Sequence, residues 1–200
     1  MIGRGLRSPA LLVALAATVY SWLITFPLAL HIDSAIYGYP GDSTGTIAVF
    51  SWWSHALHHH QSIFVNSAWG APYGAAWEAV PFSVLSVVLL APLSAVVGGT
   101  VTYNLWMLSS FPLTAWATFL VARRLGARTL GAAFAALAFA FIPYHLEKAQ
   151  GHVGQTHMEI YAGILLFLLR WRQGGSRWNL AAAGAMAGLA LWSDYYMAYI

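Results

Sequence analysis

Residues 82–124 read FSVLSVVLLAPLSAVVGGTVTYNLWMLSSFPLTAWATFLVARR and form two apolar runs separated by a pair of glycines. The second run, Val101–Val121, reaches the about 20 apolar residues that a spanning helix needs, and two arginines follow it. The first run, Phe82–Val97, is shorter and is interrupted by a proline. We therefore expect the second run to cross a membrane and the first run to lie along its surface.

The composition of the whole chain is typical of a membrane protein. Of the 200 residues, 60% are hydrophobic and 8% are charged, whereas soluble domains carry about 25% charged residues. The predicted partner is therefore the lipid bilayer, and the net charge of +3 is too small to suggest nucleic acid. Because cysteine is absent, disulfides, thiolate nucleophiles and cysteine metal ligands are excluded from this chain.

The positions of the basic residues predict the topology. They fall into three clusters, which the positive-inside rule assigns to the cytoplasm: Arg4 and Arg7; Arg123, Arg124 and Arg128; and Arg170, Arg172 and Arg177. The first span takes the chain out, so an odd number of crossings must return it to Arg123 on the inside. Two apolar runs lie between, and the shorter one, residues 82–97, must therefore not cross. The predicted spans are residues 10–30, 101–121, 130–144, 158–171 and 180–200.

The predicted fold class is therefore all-α, a polytopic transmembrane helix bundle that forms a single module over residues 1–200. The N-terminus is expected in the cytoplasm and the protein in the inner (plasma) membrane. Since the chain ends within an apolar run, Leu191–Ile200, we expect it to be the N-terminal part of a longer protein, truncated at the C-terminus.

The first outer loop is predicted to carry two interfacial helices, at residues 43–62 and 82–97. In the first of them, Val49, Phe50 and Trp53 share one face of the helical period. We expect that apolar face to lie on the membrane, with the tryptophans at the level of the lipid headgroups.

This topology gathers the polar chemistry at the outer face and leaves the interiors of the spans apolar. The outer set comprises all eight histidines and all six acidic residues, namely Asp33, Asp42, Glu78, Glu147, Glu159 and Asp194.

Asp42 follows a Pro-Gly turn and precedes the first interfacial helix. It is one of three candidate N-caps, with Ser43 and Thr44. Since either neighbour caps a helix equally well, the Asp42 carboxylate is also a candidate general base toward a hydroxyl acceptor.

A second cluster lies at residues 141–161, FIPYHLEKAQGHVGQTHMEIY, in an outer turn. Lys148 and His152 are candidates for binding a phosphate group, although a solvated loop with interfacial Lys and His side chains is the simpler interpretation. Glu159 lies just inside an apolar run, where an ionisable group costs about 3 kcal/mol and commonly marks a site. Asp194, near the outer end of the last span, is a candidate of the same kind.

Two further patterns have simpler explanations. Gly184 and Gly188 form a GxxxG motif, which favours close helix packing. The run His58–His60 does not predict a metal site, because successive helical side chains point about 100° apart. Only His55 and His59 share a face, so no metal ligands are assigned, although a divalent ion held by Asp42 and other outer carboxylates stays open.

The order of these elements resembles the N-terminal half of a membrane glycosyltransferase of the GT-C type. The resemblance rests on a basic N-terminus, a first span, PGDS (40–43), a Trp-rich interfacial helix, PFSVLS (81–86) and ARRLGAR (122–128). FIPYH (141–145) and LALWSDYY (189–196) are similar to a bacterial, largely uncharacterised branch. This chain departs from many such relatives at Gly154, where they carry Asn.

The resemblance implies a polyprenyl-phosphate sugar donor, transfer at the extracytoplasmic face and an unidentified acceptor. It also implies that Asp42 is the catalytic base, with Asp33 as the alternative. The substrate-binding candidates Lys148, His152, Glu159 and Asp194 come from the residue patterns above and not from the resemblance. No acidic residue adjoins Asp42, which favours transfer without a metal or other cofactor. A single base with in-line displacement predicts inversion of the anomeric centre.

Two non-enzymatic functions stay open, a transporter or flippase-like subunit for lipid-linked sugars and a polytopic scaffold. A transporter places polar residues at broken helices near the membrane midplane. The apolar span interiors expected here favour the enzyme.

Overall fold

The computed structural model describes residues 9–76, 84–194 and 196. In chain order the helices are α1 (Pro9–Ile24), α2 (Asp42–His58), α3 (Val84–Val97), α4 (Gly99–Arg124), α5 (Thr129–Ala140), α6 (Pro143–Ala149), α7 (Glu159–Arg172) and α8 (Trp178–Ser193). Short 3-10 helices lie at Leu28–Leu30 and Val153–Gln155. Strands β1 (Val65–Asn66) and β2 (Ala75–Ala76) pair antiparallel, with Val65 opposite Ala76. Four predicted features lie wholly or partly outside the described residues: the basic cluster of Arg4 and Arg7, Glu78, the start of the second interfacial helix and the end of the last span.

The all-α prediction is confirmed, since helices account for 71% of the residues and strands for 2%. Among the described helices, only α4 is by itself long and apolar enough to cross a membrane. A second candidate exists if α5 and α6, which meet at a bend of 43°, form one broken span. Helix α1 is apolar but shorter. The five-span bundle is therefore not established by helix length and composition.

Several helices end earlier than the apolar runs that predict them. Helix α1 stops at Ile24, and residues 28–30 form a separate 3-10 turn. The predicted span 130–144 breaks after Ala140, because Pro143 begins α6 and disfavours helical conformation in the residue before it. Helix α8 ends at Ser193, so Asp194 lies at the end of the helix and not within it.

Helix α4 is the centre of the fold and packs against α1, α2, α3, α5 and α7. Its contact with α1 and α5 is built largely from alanines, including Ala17, Ala115 and Ala136, which are all completely buried. Small side chains let helix backbones approach closely. Gly126, with φ of +95°, follows the basic last turn of α4 and ends the helix.

The expectation that α2 lays its apolar face on the membrane is wrong for this structure. Phe50, Trp52 and Trp53 are buried in the main hydrophobic core, where α2 packs against α3 and α4. Gly99 makes this contact close, since a Cβ there would overlap Ser51. The sequence period correctly predicts an amphipathic helix, but the surface that covers it is protein.

The packing role expected for the GxxxG motif on α8 is not found among the described residues. A Cβ added to Gly184 or Gly188 would meet nothing within 4 Å. Instead, Gly163 of α7 receives the side chain of Met186 from α8. A glycine on the partner helix therefore makes the close contact between α7 and α8.

The segment between α1 and α2 is fastened to α4 by Asn104, which is completely buried. Its side-chain amide donates to the carbonyl oxygens of Ile32 and Ala35, each at 2.8 Å. These bonds fix the path of the chain shortly before Asp42.

Candidate functional site

The candidate site lies where the start of α2 meets the segment between α6 and α7. That segment, residues 150–158, is called here the 150–158 loop. Imidazoles of this loop contact two of the four acidic side chains described below, and Gly154 of the loop lies beside a third. These three carboxylates come from distant parts of the sequence.

Asp42 and His152 are brought together at the outer end of this junction. Nε2 of His152 lies 3.3 Å from Oδ2 of Asp42. The Asp42 side chain is 75% exposed and that of His152 is 37% exposed. The carboxylate is thus within reach of a ligand, and its imidazole partner restricts its orientation.

The backbone at this junction is tightly packed. The amide of Tyr39 donates to the carbonyl of Gln150 at 3.3 Å. A Cβ at Gly38 would overlap the backbone of Gln150, and a Cβ at Gly151 would lie 3.3 Å from the ring of Tyr39. Two glycines thus allow residues 38–43 and the 150–158 loop to approach closely.

Ser43 and Tyr103 extend the junction into the core. The hydroxyl of Tyr103, a fully buried residue of α4, donates to Oγ of Ser43 at 3.1 Å. Oγ of Ser43 in turn faces the carbonyl of Gln150 at 3.5 Å. The residue next to Asp42 is therefore anchored to both α4 and the 150–158 loop.

None of the three candidate caps takes the N-cap position of α2, which belongs to Gly41. Gly41 has φ of +133°, a conformation that glycine adopts without strain. Thr44 bonds back to this residue, with its hydroxyl 2.7 Å from the Gly41 carbonyl. Asp42 is the first residue of the helix, where the helix dipole favours a negative charge. Its carboxylate is consequently not used as a cap.

Glu159 is held in a buried network at the start of α7. Oε1 accepts a hydrogen bond from Nδ1 of His157 at 2.7 Å, and Oε2 accepts one from the hydroxyl of Thr114 at 3.3 Å. The imidazole of His157 also stacks on Trp106, with ring centroids 3.8 Å apart. Nε2 of His157 is buried and has no hydrogen-bond partner among the described residues.

His145 forms a second buried contact with α4. Ser110 donates its one proton to the carbonyl of Met107 at 2.7 Å, so it accepts a hydrogen bond from Nε2 of His145 at 2.9 Å. The imidazole stacks on Phe111. The expectation of a purely solvated cluster at the outer turn is therefore wrong for His145 and His157, which are 0% and 2% exposed.

Asp194 approaches the middle of the 150–158 loop. A Cβ at Gly154 would lie 2.8 Å from Oδ2 of Asp194. The neighbouring Ser193 contacts the carbonyl of Gly154 at 3.5 Å. Asp194 thus occupies the space that a larger residue at position 154 would need.

Lys148 has a different environment from that of Asp42. Its ammonium lies 3.2 Å from the carboxylate of Glu147 and 5.5 Å from the centre of the Tyr144 ring. These contacts keep Lys148 within its own helix. The structure thus assigns His152, but not Lys148, a contact with Asp42.

In the described part of the chain, no group of three or more His, Asp or Glu side chains is arranged to hold a metal ion. His55 and His59 do share a face of α2, with ring centroids 4.3 Å apart. Two imidazoles alone make an incomplete site for a tetrahedral metal.

Removing the Glu159 carboxylate tests the buried network. We expect Glu159→Met to lower the free energy of unfolding by about 1–3 kcal/mol, because the N–H of His157 and the hydroxyl of Thr114 lose their acceptors. Glu147→Met is the matched control, and should cost less than about 1 kcal/mol because the Glu147 side chain is 54% exposed. Thermal unfolding in detergent measures both variants. Equal losses of unfolding free energy in the two variants would contradict a stabilising role for the Glu159 network.

No protein-family model, curated protein or solved structure matches this chain. The GT-C resemblance therefore stays a prediction from the sequence.

Several residues of the site have no clear signal in the sequence. Tyr103, Ser110 and Thr114 read as ordinary members of an apolar span, because a single hydroxyl every few residues does not alter its hydropathy. Their spacing offers one indication, since residues 103, 110 and 114 lie on the same face of a helix.

Proposed function

We propose that the chain is the N-terminal part of a polytopic membrane glycosyltransferase of the GT-C type. It transfers a sugar from a polyprenyl-phosphate donor to a hydroxyl acceptor at the extracytoplasmic face. The observation that carries this proposal is the contact between the exposed carboxylate of Asp42 and the imidazole of His152.

The position of Asp42 supports its role as the general base. Its mostly exposed carboxylate has one oxygen beside His152 and a second with which to accept a proton. A general base must come within hydrogen-bond reach of the proton it removes. His152 orients the carboxylate, and Asp33, by contrast, contacts the hydroxyl of its neighbour Ser34 at 3.0 Å on an exposed loop.

In the proposed reaction, Asp42 removes the proton from the acceptor hydroxyl as its oxygen attacks the anomeric carbon of the donor. A bond forms between the acceptor oxygen and that carbon, and the bond to the phosphate oxygen breaks. Polyprenyl phosphate leaves with the bonding electrons and needs no acid, because a phosphate is a competent leaving group. Attack opposite the leaving group inverts the anomeric configuration.

The proposal includes five crossings and an active site on the outer side. Helix α4 has the length and hydropathy of a span, and the bent pair α5–α6 is a second candidate. Exposed hydrophobic side chains on α1, including Leu12, Val19 and Leu23, support the proposal of a bilayer around that helix.

A transfer assay tests the function directly. Sealed vesicles that contain the full-length protein, in either orientation, receive a panel of radiolabelled polyprenyl-phosphate sugars. We expect loss of label from the lipid only where the extracytoplasmic face meets the donor, and a product of inverted configuration. Label that moves across the bilayer but stays on the lipid would contradict the proposed glycosyltransferase activity.

A transporter for lipid-linked sugars is the second candidate, and the buried network favours it. The interior of α4 is not plainly apolar, since Thr114 contacts Glu159 and Ser110 contacts His145. Ionisable groups buried within membrane helices commonly mark a substrate or proton path. The same vesicle assay separates the candidates, because transport moves the label and leaves the sugar–phosphate bond intact.

A further inference from the structure

We infer that Tyr103 is a positioning residue that holds Asp42 beside His152 by acting through Ser43. The inference rests on the proposed function of Asp42 as a base. It assigns a functional role to the hydroxyl of a residue in the second turn of α4.

The hydrogen bonds have a consistent direction. Ser43 has one hydroxyl proton, and its Oγ faces the carbonyl of Gln150 at 3.5 Å. When that proton points to Gln150, Oγ accepts the proton of Tyr103, whose oxygen lies 3.1 Å away. The two hydroxyls thus form a continuous path from α4 to the 150–158 loop.

This path ends close to both members of the Asp42–His152 pair. Ser43 is completely buried and adjoins Asp42 in the first turn of α2. Gln150 also accepts the amide of Tyr39, and it lies two residues before His152. A shift of the Tyr103 hydroxyl therefore changes the separation of the two segments that carry the pair.

The exposure of Asp42 explains why this anchor matters. A side chain that is 75% exposed is not fixed by surrounding packing. Its position depends on the backbone of the first turn, which the buried Ser43 fixes. Since small displacements of reacting groups strongly reduce catalysis, the rate of transfer should depend on a bond that touches no substrate.

A double-mutant cycle tests the role. Tyr103→Phe removes only the hydroxyl, and Ser43→Ala removes its partner. We expect each variant to lower kcat about tenfold with KM for the donor unchanged, and the double variant to be no worse than either. Thr102→Val is the matched control on the same helix turn, because its hydroxyl bonds to Gly98 within that helix. It should keep the wild-type kcat.

Cross-linking provides a readout that does not require activity. Since the chain has no native cysteine, Tyr39→Cys and Gln150→Cys place two thiols across the junction. We expect Tyr103→Phe to slow disulfide formation by roughly 2- to 12-fold, the range for one lost hydrogen bond. Thr102→Val should leave the rate of disulfide formation unchanged.

The outcomes are distinguishable. If the wild-type protein is active and Tyr103→Phe has the same kcat, the positioning role is overturned, whatever the cross-linking rate. A fall in kcat that is additive with Ser43→Ala also overturns it. If wild type transfers no sugar, the proposed function fails. The cross-linking rate alone then decides whether Tyr103 controls the junction.

Discussion

Asp42→Asn is expected to lower the rate of sugar transfer by about 10²–10⁴-fold, the range for loss of a general base. Asparagine keeps the size of the side chain and an oxygen that His152 can bind. It cannot accept the proton of the acceptor hydroxyl. The loss should therefore fall on kcat, with little change in donor binding or in thermal unfolding. The fall in kcat is measured from the initial rate at which label is lost from the lipid in vesicles.

Asp33→Asn is the matched control for this experiment. Asp33 lies in the same segment before α2 and is exposed, but its carboxylate accepts a hydrogen bond from Ser34 and does not contact the 150–158 loop in the described structure. We expect Asp33→Asn to transfer sugar at the wild-type rate. A large loss in Asp33→Asn with a normal rate in Asp42→Asn would move the base to Asp33. Equal normal rates would leave Glu159 and Asp194 as the remaining candidates.

Hydropathy predicted the long apolar helices, because an apolar run in this composition has few alternatives to helical structure. It did not predict α6, which continues from the end of the predicted span 130–144 into the predicted outer turn. It was less informative about the helix ends. Pro143 and Gly126 mark real boundaries, yet the run 10–30 continues past Ile24 with no change in hydropathy. Periodicity also identified the buried face of α2. It could not show whether lipid or protein covers that face, because both are apolar.

The candidate site was only partly predictable for a related reason. Asp42, His152, Glu159 and Asp194 stand out in the sequence because charged and imidazole groups are rare beside apolar runs. The pairing of these residues does not stand out, since Asp42 and His152 are 110 positions apart and no local pattern relates them. The hydroxyl partners on α4 were missed because serine and threonine are common in membrane helices. Long-range packing decides these contacts.

The 150–158 loop connects the exposed and buried parts of the site. His152 extends from it toward Asp42, Gly154 meets Asp194, and His157 bonds to Glu159. These contacts involve α2, α8 and α7, respectively. The loop therefore fixes elements whose sequence positions are far apart, and its own path depends on close contact with residues 38–43.

Gly38→Ala is accordingly expected to open the junction. Gly38 has φ of +113°, and a Cβ there would overlap the backbone of Gln150. Because backbone atoms cannot move aside by a change of rotamer, the two segments must separate. We expect a loss of more than about 3 kcal/mol in the free energy of unfolding, because overpacking costs about 1–3 kcal/mol and the positive φ adds backbone strain. Thermal unfolding in detergent and proteolysis of the 150–158 loop measure it.

Gly41→Ala separates this overlap from the effect of backbone strain. Gly41 also has a positive φ, of +133°, but a Cβ there would meet nothing within 4 Å. The strain alone should cost about 1–3 kcal/mol, without faster cleavage of the 150–158 loop. If Gly38→Ala and Gly41→Ala lose equal stability and are cleaved equally, glycine is needed at position 38 only for its positive φ. A larger loss and faster cleavage in Gly38→Ala alone would show that the close approach to Gln150 holds the two halves of the site together.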